Sequence, residues 1–430
     1  MILLKGGRII DPASATDRVG DVLIVGDRIQ EIADSIDARQ VAAVCGEEPE
    51  IYDCSGCIVG PGLVDVHVHF RDPGFTYKED IYSGAKVAAA GGFTSVILMA
   101  NTKPAVDNAD TLKYVLDKGK ETDINVYTCA NVTKGLAGKE LTDFHELKSK
   151  GAIGFTDDGI PILDEDVCRS AMEEAAKEDV LLSFHEEDPK YISNNGVNHG
   201  KASEYYGIGG SDRQAEISMV ERDIRLAIET GARINIQHIS AKETVELIRQ
   251  AKKTYPYIYG EATPHHIALT EEAVIEHGTN ARMNPPLRTE EDRLAIIDGL
   301  LDGTIDVIAT DHAPHAPQEK AKSITEAPSG ILGLETSLPI AYEELVLKKD
   351  MTFVNLFCKM SLNPAKIYKL EAGELAKNKI ADVVVFDTNH PFVYDSTLSK
   401  SQNSPFFGKK FPGRVAMTIC GGKIIYDNRC

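Results

Sequence analysis

The stretch Val64-Asp65-Val66-His67-Val68-His69-Phe70-Arg71-Asp72-Pro73-Gly74 follows the apolar approach Cys57-Ile58-Val59-Gly60-Pro61-Gly62-Leu63. Side chains in a strand repeat every two residues, so alternation puts Val64, Val66 and Val68 on one face and Asp65, His67 and His69 on the other. Two imidazoles then point the same way. Neutral imidazole is a common zinc ligand, and His-x-His at a strand end offers two nitrogens to one ion with little further ordering. Alone, the motif is equally a pair of ordinary histidines on a half-buried strand. The rest of the chain decides between the two readings.

Downstream, apolar runs and helical patterns alternate. The runs are Thr94-Ser95-Val96-Ile97-Leu98-Met99-Ala100, Ile124-Asn125-Val126-Tyr127-Thr128-Cys129, Ala152-Ile153-Gly154-Phe155, Val180-Leu181-Leu182-Ser183-Phe184, Ile234-Asn235-Ile236-Gln237, Ile258-Tyr259-Gly260-Glu261-Ala262 and Asp306-Val307-Ile308-Ala309-Thr310. Helical patterns at Leu163 to Ala176 and Ser211 to Thr230 are among those between them. With the His-x-His strand this makes eight units over about 300 residues, the count and length of an α/β (β/α)₈ TIM barrel. The strands end, in order, in His67 and His69, then (from the fourth) Asp157-Asp158, His185-Glu186-Glu187, Gln237-His238, His265-His266 and Asp311-His312. Such ends meet at the C-terminal face of the barrel, where active sites of this fold lie. The convergent nitrogen and oxygen donors suit zinc, as one ion or as two bridged by a carboxylate. His265, His266 and His312 stay unassigned.

Residues 1–56 carry short strand-like runs separated by Gly6-Gly7, Asp11-Pro12 and Gly26-Asp27, and similar runs return near Asp382–Asp387 and Val415–Tyr426. A segment of about fifty residues buries little alone, so the two ends are expected to pair into one small β-sandwich domain, residues 1–56 plus 372–430, around a barrel of 57–371. The 430 residues carry 46 Lys and Arg against 66 Asp and Glu, a formal charge of −20, which argues against nucleic acid and anionic membranes as partners. The first residues lack a signal-peptide pattern and no run approaches a membrane span, so a cytoplasmic location is expected. The eight cysteines are scattered and read as reduced thiols, with Cys54-x-x-Cys57 lacking a second pair.

With His67-Val68-His69, a His on strand five, a His on strand six and an Asp on strand eight, the chain resembles the amidohydrolase superfamily. Within it, His69-Phe70-Arg71-Asp72-Pro73-Gly74, Asn101-Thr102-x-Pro104, Phe155-Thr156-Asp157-Asp158-Gly159, Asn284-Pro285-Pro286-Leu287-Arg288 and Ala309-Thr310-Asp311-His312-Ala313-Pro314-His315 resemble dihydroorotases of the bacterial long form, over essentially the whole chain. The resemblance implies reversible cyclisation of N-carbamoyl-L-aspartate to dihydroorotate in pyrimidine (UMP) synthesis. It implies one Zn²⁺ on His67 and His69, a second on His185 and His238, a bridge from Asp158, and Asp311 as both ligand and proton carrier. Many superfamily members bridge with a carboxylated lysine; none stands in Gly154-Phe155-Thr156-Asp157-Asp158, and the family's spacing to the strand-five His favours Asp158 over Asp157. A homodimer and an association with aspartate carbamoyltransferase are further expectations from the family.

The implied substrate carries a carboxylate in both forms, and the planar fork of Arg71 suits it. Asn101 and His315 are placed to complete the clamp, and the family adds His69, Phe70, Asn284, Ser329 and Gly330 as contacts. The long loop from Ala313 to Leu332 reads as a lid or as a static excursion. Two other readings compete: another cyclic amidase (hydantoinase, dihydropyrimidinase or allantoinase), which needs no carboxylate clamp, and a non-catalytic scaffold for aspartate carbamoyltransferase.

Overall fold

The computed structural model describes residues 1–429. Five strands come first: β1 (Ile2–Asp11), β2 (Thr16–Val25), β3 (Arg28–Ala33), β4 (Glu50–Asp53) and β5 (Cys57–Pro61). Seven follow with helices between them: β6 (Leu63–Val68), β7 (Phe93–Leu98), β8 (Asn125–Thr128), β9 (Leu181–Phe184), β10 (Arg233–Ile236), β11 (Ile258–Ala262) and β12 (Val307–Ile308). The last are β13 (Val383–Asp387), β14 (Phe392–Val393), β15 (Lys410–Phe411), β16 (Arg414–Cys420) and β17 (Lys423–Asp427). The chain is a (β/α)₈ barrel carrying a small β-sandwich domain.

The sandwich is one sheet drawn from both ends, in the order β17-β16-β13-β5-β1-β2-β3 with β4 also beside β1. Strand β1 serves two neighbours in succession: residues 2–5 pair with β4 and residues 8–9 with β5. Its pairing with β2 slips between Leu4 and Gly7, where Gly6 takes φ +68° and a Cβ on Gly7 would meet Val59 at 2.4 Å. That bend lets Ile2, Leu4, Ile9, Val22, Val59, Val383, Val385 and Met417 share one apolar core. Cys57–Pro61, expected in the barrel segment, belongs to this sheet, because its backbone pairs with β1 on one side and β13 on the other.

Parallel pairing runs β6-β7-β8 and β9-β10-β11-β12. The two arcs join at Phe155, which bridges Ala130 and Leu182, and at Val68, which bridges His312; His69 N–H also donates to His312 O at 2.9 Å. The fourth strand expected at Ala152–Phe155 forms its ladder bridges at Phe155, with Ile153 N–H donating to Thr128 O at 3.2 Å and Gly154 O accepting from Ala130 N–H at 3.0 Å, and the eighth is two residues long. The helix expected from Leu163 starts at Glu165, because the Asp164 carboxylate caps it by accepting from the N–H groups of Asp166 and Val167.

Simple alternation fails in β6. Val64 and Val66 pack with Ile97, Met99, Cys129, Leu181, Val307 and Ala309 from strands all round the ring, whereas Val68 joins the helix-facing core. The register with β7 slips between Asp65 and Val68, and a slip of this kind turns the following side chains. His67 and His69 therefore face the barrel axis beyond Val66. Asp65 does not join them: its carboxylate accepts from the N–H groups of His67 at 3.0 Å and Thr310 at 3.1 Å, pinning the first and last strands together. Burial pushes that carboxyl up to about 7.

Candidate metal centre

His67, His69, Asp158, His185, His238 and Asp311, which span more than half the chain, converge at the strand ends and are all buried. His67 Nε2 lies 3.4 Å from Asp158 Oδ1 and 3.6 Å from Asp311 Oδ1. His69 Nε2 lies 3.4 Å from Asp158 Oδ2 and 3.0 Å from Asp311 Oδ1. On the other side of Asp158, His185 Nδ1 and His238 Nε2 each stand 3.7 Å from its Oδ1. Two groups have donor atoms all within 4.8 Å of one another: His67, Asp158 and His238, and His67, His69 and Asp311. Arg71, His238 and Asp311 take φ values of 59°, 31° and 47°, a left-handed backbone costly for residues with a Cβ and frequent at functional sites.

Outer partners fix which nitrogen each imidazole presents. His67 Nδ1–H donates to Glu261 Oε1 at 2.8 Å, His69 Nδ1–H to Asn101 Oδ1 at 3.0 Å and His185 Nε2–H to Glu187 Oε2 at 3.0 Å. Each remaining lone pair faces the centre. The residues fit a cation there. His67 Nε2 is buried without a hydrogen-bond partner, and the nitrogens His185 Nδ1 and His238 Nε2 oppose each other at 2.9 Å, an arrangement that a positive charge between them relieves. The field has the same sign: burial would lower His67, but Glu261 and Asp158 raise it well above the ordinary imidazole value. Burial would raise Asp158, but His67, His185 and His238 hold its carboxyl well below the usual range.

The adjacent Asp157 points elsewhere. It accepts from the N–H groups of Val132 at 2.9 Å and Thr133 at 3.1 Å, and from Asn131 Nδ2 and the Thr133 hydroxyl, so it holds a neighbouring loop.

A cavity of about 320 Å³ opens on His69, Asp158, His185, His238 and Asp311 and is lined also by Arg71, Asn101, Asn284, His315, Ser329 and Gly330. A larger cleft of about 490 Å³ beside Glu335 and Tyr394 contains none of the metal donors. Asn101, expected in the carboxylate clamp, also braces the centre: it accepts from His69 Nδ1–H and donates to Asp158 Oδ2 at 3.2 Å. Phe70 is not in the lining. Its ring is buried under Gly84 and edge-on to His312 at 6.3 Å, because the residue after His69 faces the helix Ile81–Ala90.

Of the unassigned histidines, His266 contacts Thr263 Oγ1 and Pro285 O, and His312 accepts from Gly333 N–H, so both brace loops. His265 is buried with Nε2 unpartnered, and burial pushes it down to about 4. The Ala313–Leu332 loop is tied down. Arg282 donates to Ala327 O, Lys320 Nζ to Pro328 O at 2.9 Å, His315 Nε2–H to Ser329 O at 2.8 Å, and Asn403 Nδ2 to Gly330 O at 3.0 Å.

The pattern of the Amidohydrolase family matches residues 58–425. The chain belongs to the amidohydrolase family. This amidohydrolase is a metal-dependent enzyme, with the two donor groups above as candidate ligands. It is 51% identical over 427 residues to the dihydroorotase of Clostridioides difficile, covering 99% of this chain and 100% of the relative. It is 49% identical to that of Lactococcus lactis, covering 99% of each. An L-hydantoinase (dihydropyrimidinase) from Arthrobacter aurescens superposes with a TM-score of 0.87 at 23% identity, over 100% of this chain and 96% of that one. A dihydropyrimidinase from Brevibacillus agri gives 0.83 at 20%, over 100% and 95%. These two likenesses are of fold. Among the described residues no helix is long and apolar enough to cross a membrane.

Sequence reasoning passed over Glu261, Glu187, Asn195 and Arg282. Glu261 carried a signal: an acidic residue inside the apolar run Ile258–Ala262 has to be buried with partners. Asn195 and Arg282, which line the cavity from loops, carried none.

Proposed function

We propose that this amidohydrolase is a dihydroorotase that interconverts N-carbamoyl-L-aspartate and dihydroorotate. The observation that carries the reading is a half-buried guanidinium, Arg71, in the same small cavity as five of the six candidate metal donors, in a chain that matches dihydroorotases from end to end. A carboxylate beside the scissile ring amide is what such a cation selects, and hydantoin or dihydrouracil offers none.

His67, His69 and Asp311 would hold one zinc and His185 and His238 a second, with Asp158 between them. When bound, the metal supplies Lewis acidity, polarising the ring carbonyl and lowering the pKa of water. Asp311 is ionised, because burial, which would raise it, is outweighed by His67 and His69. It therefore starts as a base: it takes the proton of the water that attacks the ring amide carbon and delivers it to the departing ureido nitrogen. In the synthetic direction it removes the ureido proton. Arg71, with His315 and Asn101, holds the substrate carboxylate and fixes the ring against the donors.

The free cysteines among the described residues fit a reducing, cytoplasmic setting. A homodimer and association with aspartate carbamoyltransferase complete the proposal on family grounds. The test is turnover of dihydroorotate against hydantoin, dihydrouracil and allantoin by the metal-loaded protein. Preference for any of the three neutral rings would overturn it.

A further inference from the structure

Between β14 and β15 the chain crosses to the loops at the C-terminal face of the barrel. The stretch Ser399-Lys400-Ser401-Gln402-Asn403 forms neither helix nor strand there and is held by side chains. Ser401 Oγ donates to Lys78 O at 2.8 Å, Lys400 Nζ donates to Thr76 O at 3.0 Å, and the Ser399 hydroxyl donates to the buried carboxylate of Glu79. These partners lie in the loop that follows β6 and carries Arg71.

Asn403, which is buried, ties the same stretch to the loop that follows β12. Its Oδ1 accepts from His315 N–H at 2.9 Å, and its Nδ2 donates to Ala313 O at 2.9 Å and to Gly330 O at 3.0 Å. An amide offers an oxygen acceptor at one end and two N–H donors at the other. Here the acceptor meets an N–H and the donors meet carbonyls, so the network fixes which end is which: turned over, the amide would oppose like groups at every contact. Ala313 and His315 flank Pro314, and the Pro314 carbonyl accepts from Arg71 Nε at 3.3 Å. That contact spends one of the five donors of a guanidinium and orients the rest. The packing leaves little slack, since a Cβ on Gly330 would lie 2.8 Å from Ala313 Cβ and 3.0 Å from His315 Cδ2.

We propose that Asn403 is a positioning residue for the substrate carboxylate: by holding the peptide groups on both sides of Pro314 it sets the carbonyl that aims Arg71. The proposal rests on the dihydroorotase reading for the identity of the ligand, though not for the hold on residues 313–315. Asn403 is not among the residues lining the cavity, and its amide bonds no metal donor. It acts on binding, and the proton carrier Asp311 is untouched.

The experiment uses the full-length, metal-loaded protein. Asn403→Ala should raise the KM for dihydroorotate about tenfold, the scale of one stranded hydrogen bond, with kcat and metal content nearly unchanged. Asn403→Asp, which keeps the acceptor and turns a second oxygen on the carbonyls of Ala313 and Gly330, should do no better. In an Arg71→Met background, Asn403→Ala should change KM by less than about twofold, because the group it aims is gone. Equal factors in the two backgrounds would make Asn403 a general brace and sink the proposal, as would an unchanged KM in a folded variant or an equal fall in kcat. Hydrogen exchange followed by mass spectrometry reads the hold without substrate: a wild-type peptide covering residues 313–315 should be protected, and exchange there should quicken in Asn403→Ala. Fast exchange in the wild type would overturn the proposal without any variant. Should the wild type fail to hydrolyse dihydroorotate, the functional reading falls while the exchange data still decide what Asn403 holds.

Discussion

Glu261 separates the metal centre's outer support from its ligands. It is fully buried in β11, with Oε1 2.8 Å from His67 Nδ1 and 3.3 Å from His238 N, and Oε2 3.1 Å from Asn235 Nδ2. All three partners donate. Glu261→Gln keeps an oxygen for His67, and its new amide group faces Asn235, whose own Oδ1 has no partner and can accept once that amide turns over. The substitution therefore fits and removes only charge. A hydrogen bond to a charged acceptor is worth ~1.5–3 kcal/mol against ~0.5–1.5 for a neutral one, so Gln should weaken metal binding about tenfold. Glu261→Leu strands the donors and should weaken it by up to ~100-fold, the upper range for losing an outer-shell partner, while lowering Tm. The assay is metal per chain after dialysis against chelator-buffered zinc. Wild-type affinity in both variants would refute the role given to Glu261, and a loss in Leu alone would show that the carboxylate's shape matters and its charge does not.

Asp311→Asn keeps an oxygen near the metal but cannot carry a proton, so turnover should fall by at least ~10²-fold with metal still bound, as judged by rate and metal content together. Asp158→Ala should lower the metal stoichiometry, whereas Asp157→Ala should keep it and lose ~1–3 kcal/mol of stability through the stranded N–H groups of Val132 and Thr133; stripping by the second variant alone would reassign the bridge. Arg71→Met should cut kcat/KM for dihydroorotate ~10- to 100-fold, and any trace hydrolysis of dihydrouracil, measured alongside, should change far less. Burial, and then the nearby Arg282, pushes Lys320 down to about 7. The folded chain thus binds one proton fewer than the unfolded chain between that value and ~10.4, so Lys320 contributes a stability that rises with pH by up to ~1.4 kcal/mol per unit across that window. Denaturant unfolding of wild type and Lys320→Met at several pH values should show the wild type gaining stability relative to the variant as pH rises; parallel curves would count against it.

Much of the candidate site is legible in the chain because each candidate ligand sits at the end of an apolar run. Periodicity locates the runs, and the barrel rule brings their ends together, so His67, His69, the Asp157-Asp158 pair, His185, His238 and Asp311 can be gathered without coordinates. The choice between adjacent carboxylates is different. Asp157 and Asp158 are chemically alike, and only the tertiary structure sends one to the Val132–Thr133 backbone and the other among the histidines. Strict alternation misjudged Asp65 for the same kind of reason: a slip between paired strands leaves no mark in one strand's own sequence. The placement of residues 313–332, too, was open in their composition and is set by side chains far away, Arg282 and Asn403, whose hydrogen bonds reach those carbonyls. Sequence fixes what each residue can offer and, through its period, the face on which it starts. Burial, tautomer and the choice of partner depend on which distant groups arrive beside it, and only the closed barrel, with its two chain ends paired over one flank, determines that.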